Sequence, residues 1–249
     1  MRTKHSARSI SQLLLLGLLA APLGAGVAVA GVVDFETLPG AVTADGVPIG
    51  TQYLAGYEMA FGLDVDGDGF ADPGALPLLE SVGEDDGWAF VNDIDSSSEK
   101  TLPGYEAQLG AWTLALPDHL PGTALLISYA SPMREAGADI WDIDGNPLQG
   151  TEQWQIDALA VDGSVLATIL SPLGESLGPE SLNAMPWRFD FEREAAEIFG
   201  LRIAFVGSKT WGLGASFDHF WCAVPEPGAL SLLAIGVALL GAARRGSSA

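Results

Sequence analysis

Short hydrophobic segments, often alternating with polar residues, recur roughly every ten positions between residues 31 and 223. Glycine, proline, aspartate and asparagine separate them. Alternation with a period of two is typical of strands that bury one face, and the separating residues favour tight turns. The clearest predicted hairpin joins residues 154–161 to 165–170 through Asp162-Gly163-Ser164. A helical pattern is confined to residues 192–199, so the sequence predicts an all-β domain.

The remaining predicted strands share the same short length and the same turn-forming boundaries. They cover residues 32–36, 51–61, 111–116, 124–130, 138–143, 201–206 and 216–223. Many short strands with turns between them favour an antiparallel two-sheet β-sandwich. A jelly-roll-like topology is the preferred form of this sandwich, and the order of the strands is also similar to that of exported lectin-like domains. Residues 31–223 are therefore interpreted as one β-sandwich domain.

The N-terminal 30 residues have the three-part pattern of a secretory signal peptide. A basic start precedes an apolar run at residues 13–21, and Ala28-Val29-Ala30 then offers a signal peptidase site. The alternative is a membrane anchor or a buried core helix, but the run is short for a span, and Pro22 and Gly24 interrupt it. The sequence predicts cleavage before Gly31.

The C-terminal segment, residues 224–249, has the pattern of a short membrane anchor. Pro225-Glu226-Pro227 precedes an uncharged run at 229–243, which Arg244 and Arg245 follow. As a helix the run would be about 22 Å long, against a bilayer core of about 30 Å. Arginines behind a span favour the cytoplasmic side, which places the domain outside. This predicts a short transmembrane helix and an inner-membrane intermediate.

Pro225-Glu226-Pro227, the apolar run and the arginine pair together resemble the sorting signal of PEP-CTERM proteins. The resemblance implies processing by an exosortase, a membrane enzyme, in a Gram-negative bacterium that makes exopolysaccharide. It also implies a final location at the cell surface or in the extracellular matrix of a biofilm. It covers the tail and implies no activity for the domain. An ordinary tail anchor is the alternative.

Charge is distributed very unevenly along the chain. The formal net charge is −21, but residues 31–223 contain 31 acidic and 6 basic residues, a net charge of −25. Such a surface repels nucleic acid and anionic lipid, and bound cations would relieve its self-repulsion. The single cysteine, Cys222, excludes an internal disulfide. It is expected either to be buried as a small apolar side chain or to pair between chains.

The nine-residue segment 64–72 carries the strongest metal-binding motif. Asp64, Asp66, Asp68 and Asp72 provide carboxylates, and Phe70 provides a backbone carbonyl. A glycine at position six permits the tight turn that a calcium loop needs. The segment resembles the calcium loops of thrombospondin type 3 and dockerin repeats, but alanine stands where an EF-hand has its twelfth-position glutamate. A structural calcium ion is predicted, and a solvated acidic turn is the alternative.

A weaker second cation site is predicted where the first and last strands meet. Glu36 and Asp218 resemble the terminal acid pair that holds structural calcium in several sugar-binding sandwiches; the alternative is two acids facing water. Trp88 and Trp211 lie beside turns and are candidate platforms for sugar rings, whereas most other tryptophans are expected in the core.

Candidate catalytic residues are few. Adjacent strand residues point to opposite faces, so Asp218 is not expected to orient His219. The sequence has no nucleophile elbow, zinc-helix motif or phosphate loop. We therefore expect a non-enzymatic structural or adhesive protein with carbohydrate as its ligand. The alternative is a secreted polysaccharide hydrolase that uses two carboxylates.

Overall fold

A computed structural model describes residues 31–82, 106–116, 122–146, 148, 150–174, 182–210, 213 and 215–223. The predicted signal peptide and the predicted anchor lie outside these residues. So do the sorting-motif positions and the two candidate sugar platforms, namely Pro225, Glu226, Pro227, Arg244, Arg245, Trp88 and Trp211.

Strands dominate the described residues. In chain order the elements are β1 Val32–Val33, α1 Leu54–Tyr57, β2 Met59–Asp64, β3 Leu78–Ser81, α2 Glu106–Leu109, β4 Trp112–Ala115, β5 Ala124–Met133, β6 Glu135–Ile143, β7 Gly145–Asn146, β8 Gly150–Thr151, β9 Trp154–Leu159, β10 Val165–Leu170, β11 Leu182–Glu192, β12 Ile198–Phe205 and β13 Ser216–Ala223. Within the described ranges, no helix has the length and apolar character needed to cross a bilayer.

The strands form two antiparallel sheets, which confirms the predicted β-sandwich. The six-stranded sheet has the order β11-β6-β13-β4-β3, with β1 also paired to β13. The five-stranded sheet has the order β10-β9-β12-β5-β2. Strands β7 and β8 form a separate short ribbon. Every one of these pairings is antiparallel.

Aromatic side chains from both sheets meet in one core. The Trp154 ring of β9 packs edge-on against Phe217 of β13, with ring centroids 5.3 Å apart. It also packs against Phe205, at 5.6 Å. Elsewhere in the core, Phe61 of β2 contacts Phe220 of β13 at 5.1 Å. The Trp154–Phe217 and Phe61–Phe220 contacts cross from one sheet to the other, and together with the rest of the core they bury the apolar face of each sheet.

The predicted hairpin is confirmed and the predicted helix is wrong. Strands β9 and β10 pair through a turn in which Gly163 has a φ of 79° and Ser164 donates to the Asp162 carboxylate. Residues 193–197 instead connect β11 to β12. There the Arg193 and Glu197 amides donate to the carbonyls of Arg134 and Met133, so this backbone bonds to a neighbouring segment rather than to itself.

An ion-paired group is enclosed beside the short ribbon. The Lys209 ammonium contacts Asp144 at 3.1 Å and Glu152 at 3.0 Å, and the lysine side chain is 2% exposed. Burial alone lowers the pKa of Lys209, but the two carboxylates outweigh it and hold that pKa above its ordinary value. The group links segments that are distant in sequence.

Cys222 is buried in the core cluster, which confirms the prediction of a small buried apolar side chain. Burial, reinforced by the charge of Glu58, raises the pKa of the Cys222 thiol to about 12. A thiol in this state forms little thiolate at neutral pH and is poorly suited to pairing between chains.

Candidate metal centre

The predicted calcium loop begins where β2 ends. After the loop the chain returns alongside β2, because the Asp72 amide donates to the Leu63 carbonyl and the Leu63 amide donates to the Ala75 carbonyl. Gly67 and Gly69 have φ values of 80° and 90°, a region that glycine enters without steric cost. The loop is therefore a closed turn whose two ends are tied together.

Asp64 anchors the inside of this turn. Its carboxylate is fully buried and accepts hydrogen bonds from the amides of Gly67, at 2.7 Å, and Gly69, at 3.0 Å. The Asp72 carboxylate accepts from the Val65 amide at 2.7 Å. Hydrogen bonds to loop amides therefore hold the carboxylates of Asp64 and Asp72, the first and ninth residues of the motif, in the turn.

Three carboxylates of the loop converge. Asp64, Asp66 and Asp72 each offer an oxygen that lies within 4.8 Å of the other two. Hard cations such as Ca²⁺ prefer such oxygen ligands. Asp68 does not join this group: its side chain is exposed and accepts from the Phe70 amide at 2.8 Å. The structure thus brings together three of the four predicted carboxylates.

An arginine that the sequence analysis did not single out lies beside this group. Arg202 of β12 places Nε 3.8 Å from the Asp64 carboxylate and Nη1 3.6 Å from the Asp157 carboxylate. Arg202 is 138 positions from Asp64 in sequence, so no local pattern could reveal the contact. The register of the five-stranded sheet creates it.

The two acids of the predicted second cation site have different environments. Glu36 uses one carboxylate oxygen to accept from the amides of Ala111, at 2.6 Å, and Trp112, at 3.1 Å, which ties the segment after β1 to β4. Asp218 is fully buried. Among the described residues, neither acid belongs to a group of three converging metal ligands.

Asp218 and His219 are in contact, which overturns the expectation that they point apart. His219 has a φ of 50°, in a bulge where the pairing of β13 with β6 shifts register. This conformation places its Nδ1 3.1 Å from Asp218 and 3.4 Å from the buried Asp139. Burial raises the pKa of Asp218 and lowers the pKa of His219. Arg188 neutralises Asp139 through two hydrogen bonds, at 2.8 and 2.9 Å.

Comparisons with known proteins identify no family. No family model matches the chain, and no curated protein matches it. The enzymatically active domain of tailspike protein 4 from Bacteriophage CBA120 is similar at 13% identity and a TM-score of 0.28, over 73% of this chain and 21% of that chain. The CBM22-1 xylan-binding domain from Paenibacillus barcinonensis Xyn10C is similar at 8% identity and a TM-score of 0.29, over 79% of this chain and 97% of that chain. Superpositions this loose define neither a family nor a ligand.

Proposed function

We propose that this chain is an exported, non-enzymatic β-sandwich of jelly-roll type, stabilised by calcium at the loop of residues 64–72. Its role is structural or adhesive, at the cell surface or in an exopolysaccharide matrix, with carbohydrate as its ligand. The observation that supports the calcium site is the convergence of the Asp64, Asp66 and Asp72 oxygens at the end of β2.

The electrostatics of the domain favour a bound cation. Three converging carboxylates repel one another. A divalent ion bound between them offsets this repulsion, because each carboxylate is attracted to the ion. The wider domain carries a net charge of −25 between residues 31 and 223, which adds to the local demand for cations. Because the loop lacks a bidentate twelfth ligand, we expect a dissociation constant on the order of 10⁻⁴ to 10⁻³ M.

Calcium is expected to stabilise the purified protein. At a calcium concentration one hundred times the dissociation constant, the gain in unfolding free energy is about 2.7 kcal/mol. Asp66→Asn combined with Asp72→Asn removes two ligand charges and should abolish most of this gain. The measurement is thermal melting in calcium and in chelator.

Asp162→Asn is the matched control, because Asp162 is also an exposed turn aspartate that accepts from a nearby backbone amide. It should retain the full calcium response. Equal melting temperatures for the wild-type protein in calcium and in chelator would disprove the metal assignment.

Export is proposed from the two terminal segments, through their resemblance to a signal peptide and a PEP-CTERM tail. Replacing Pro225, Glu226 and Pro227 by alanine should leave the protein unprocessed at the inner membrane, because the exosortase would lose its recognition sequence. Membrane fractionation and the mass of the mature chain measure this. Unchanged maturation would show that the tail is an ordinary anchor.

Carbohydrate is the proposed ligand because the resemblance places the protein among exopolysaccharide. Of the five tryptophans that the structure describes, Trp141 and Trp154 are fully buried, and Trp112, Trp187 and Trp221 are half-buried. Trp88 and Trp211, beside predicted turns, stay the candidate platforms for sugar rings.

A further inference from the structure

Arg202 lies between two carboxylates that are closed off from solvent. Its neighbours in β12, Leu201 and Ile203, belong to the core, so Arg202 lies on the outer face of the five-stranded sheet. Asp157 lies on the same face of the neighbouring strand β9, and Asp64 lies on that face of β2, beyond β5. Their side chains are 4% and 0% exposed, respectively. Each of these acids therefore depends on a nearby cation for neutralisation.

Arg202 acts on both acids as a charge rather than as a close hydrogen-bond donor. Its contacts with Asp64 and Asp157, at 3.8 and 3.6 Å, are too long for hydrogen bonds. Its Nε atom is enclosed and has no hydrogen-bond partner within the part of the chain that the structure describes. An enclosed donor without an acceptor costs free energy, so an opposing gain must hold the guanidinium there. Neutralisation of the two buried carboxylates supplies that gain.

Both carboxylates accept their hydrogen bonds from groups other than Arg202. Asp64 accepts from two loop amides, as described above. Asp157 pairs directly across from Arg202 in the sheet register and accepts from Thr168 at 2.6 Å and from Gln155 at 3.0 and 3.1 Å. The guanidinium is thus a shared charge between the metal loop and a polar network on the outer face of the sheet.

We propose that Arg202 is the resident counter-cation of the metal centre and that its charge sets the affinity of the loop for divalent ions. This inference rests on the proposed calcium site. Without an ion, Arg202 neutralises Asp64. When an ion binds the Asp64, Asp66 and Asp72 oxygens, it takes over that role and repels the guanidinium, whose remaining partner is Asp157. The calcium affinity of the loop is lowered by this repulsion.

The test is a calcium titration of the full protein by calorimetry. Arg202→Met keeps the apolar stem and removes the charge, so the calcium dissociation constant should fall by about tenfold or more, as expected for removal of a like charge near the ion. Arg202→Lys keeps the charge and should shift the constant by less than about threefold. Arg188→Met is the matched control, because it removes a guanidinium that pairs with a buried aspartate in the other sheet. It should leave the calcium constant unchanged.

A second measurement in chelator separates failure of this inference from failure of the calcium assignment. Arg202→Met should destabilise the calcium-free wild-type background and should be much less harmful when Asp64→Asn is also present. If the wild-type protein binds no calcium, the metal assignment fails, and this double-mutant cycle alone decides whether Arg202 neutralises Asp64. Additive effects in the cycle, or an Arg202→Met variant with wild-type calcium affinity, would overturn the counter-cation role.

Discussion

Lys209→Met is expected to lower the free energy of unfolding by about 3–5 kcal/mol, because it removes the cation from a buried ion-paired group. Asp144 and Glu152 would then remain enclosed without the ammonium that contacts both of them. A buried carboxylate that loses its counter-charge either stays ionised at high cost or takes up a proton, and both outcomes weaken the native state. Urea denaturation of the variant and the wild-type protein measures the difference.

Arg193→Met is the matched control for this experiment. It also removes a basic residue from an ion pair, with Glu197 at 2.6 Å, but both side chains of that pair are more than a third exposed. Exposed pairs contribute about 0–1 kcal/mol, so the loss should be small. A Lys209→Met variant as stable as Arg193→Met would show that the lysine does not neutralise the buried acids.

Trp154→Ala is expected to destabilise the protein by about 3–5 kcal/mol, because it opens a large cavity between the two sheets. The Trp154 side chain is fully buried and joins the aromatic rings of Phe205 and Phe217, one from each sheet. The loss of these edge-on contacts adds to the loss of buried area. The midpoint of chemical denaturation is the appropriate measurement.

Trp154→Phe is the control for the cavity argument. Phenylalanine retains an aromatic ring at the junction, and it removes an indole N–H that is buried with no hydrogen-bond partner among the described residues. The loss should therefore be well below that of the alanine variant. Equal losses for the two variants would show that the indole itself, rather than the filling of the inter-sheet space, decides stability here.

Local pattern predicted most of the described strands but did not predict β3, β11 and the two-residue strands β7 and β8. Residues 216–223 and the hairpin of β9 and β10 were predictable because alternation and an Asp-Gly turn are written in neighbouring residues. Strand β3 has only four residues, too few to show a clear alternation of apolar and polar positions. Strand β11 contains Pro186, and a proline within a run argues against a strand. Residues 192–199 have a helical pattern in the sequence, but the Arg193 and Glu197 amides bond to another segment, and the helix does not form.

The candidate metal centre was also predictable only in part from the sequence. The carboxylates at Asp64, Asp66 and Asp72 and the two glycines between them lie within nine residues, so sequence spacing was sufficient to predict a loop that curls around a cation. The exclusion of Asp68 from the converging group depends on how the turn closes. The position of Arg202 near Asp64 depends on the order of the strands in the sheet, which spacing along the chain does not encode.

The sequence by itself determined the all-β class, the acidic character of the domain and the position of the acidic loop, because each depends on composition or on nearby residues. Only the tertiary structure decided which charges are buried together. Asp139 pairs with Arg188 across 49 positions and Asp144 with Lys209 across 65. The physical reason is that side chains distant in sequence meet through strand order and register, and burial then makes their charges depend on one another.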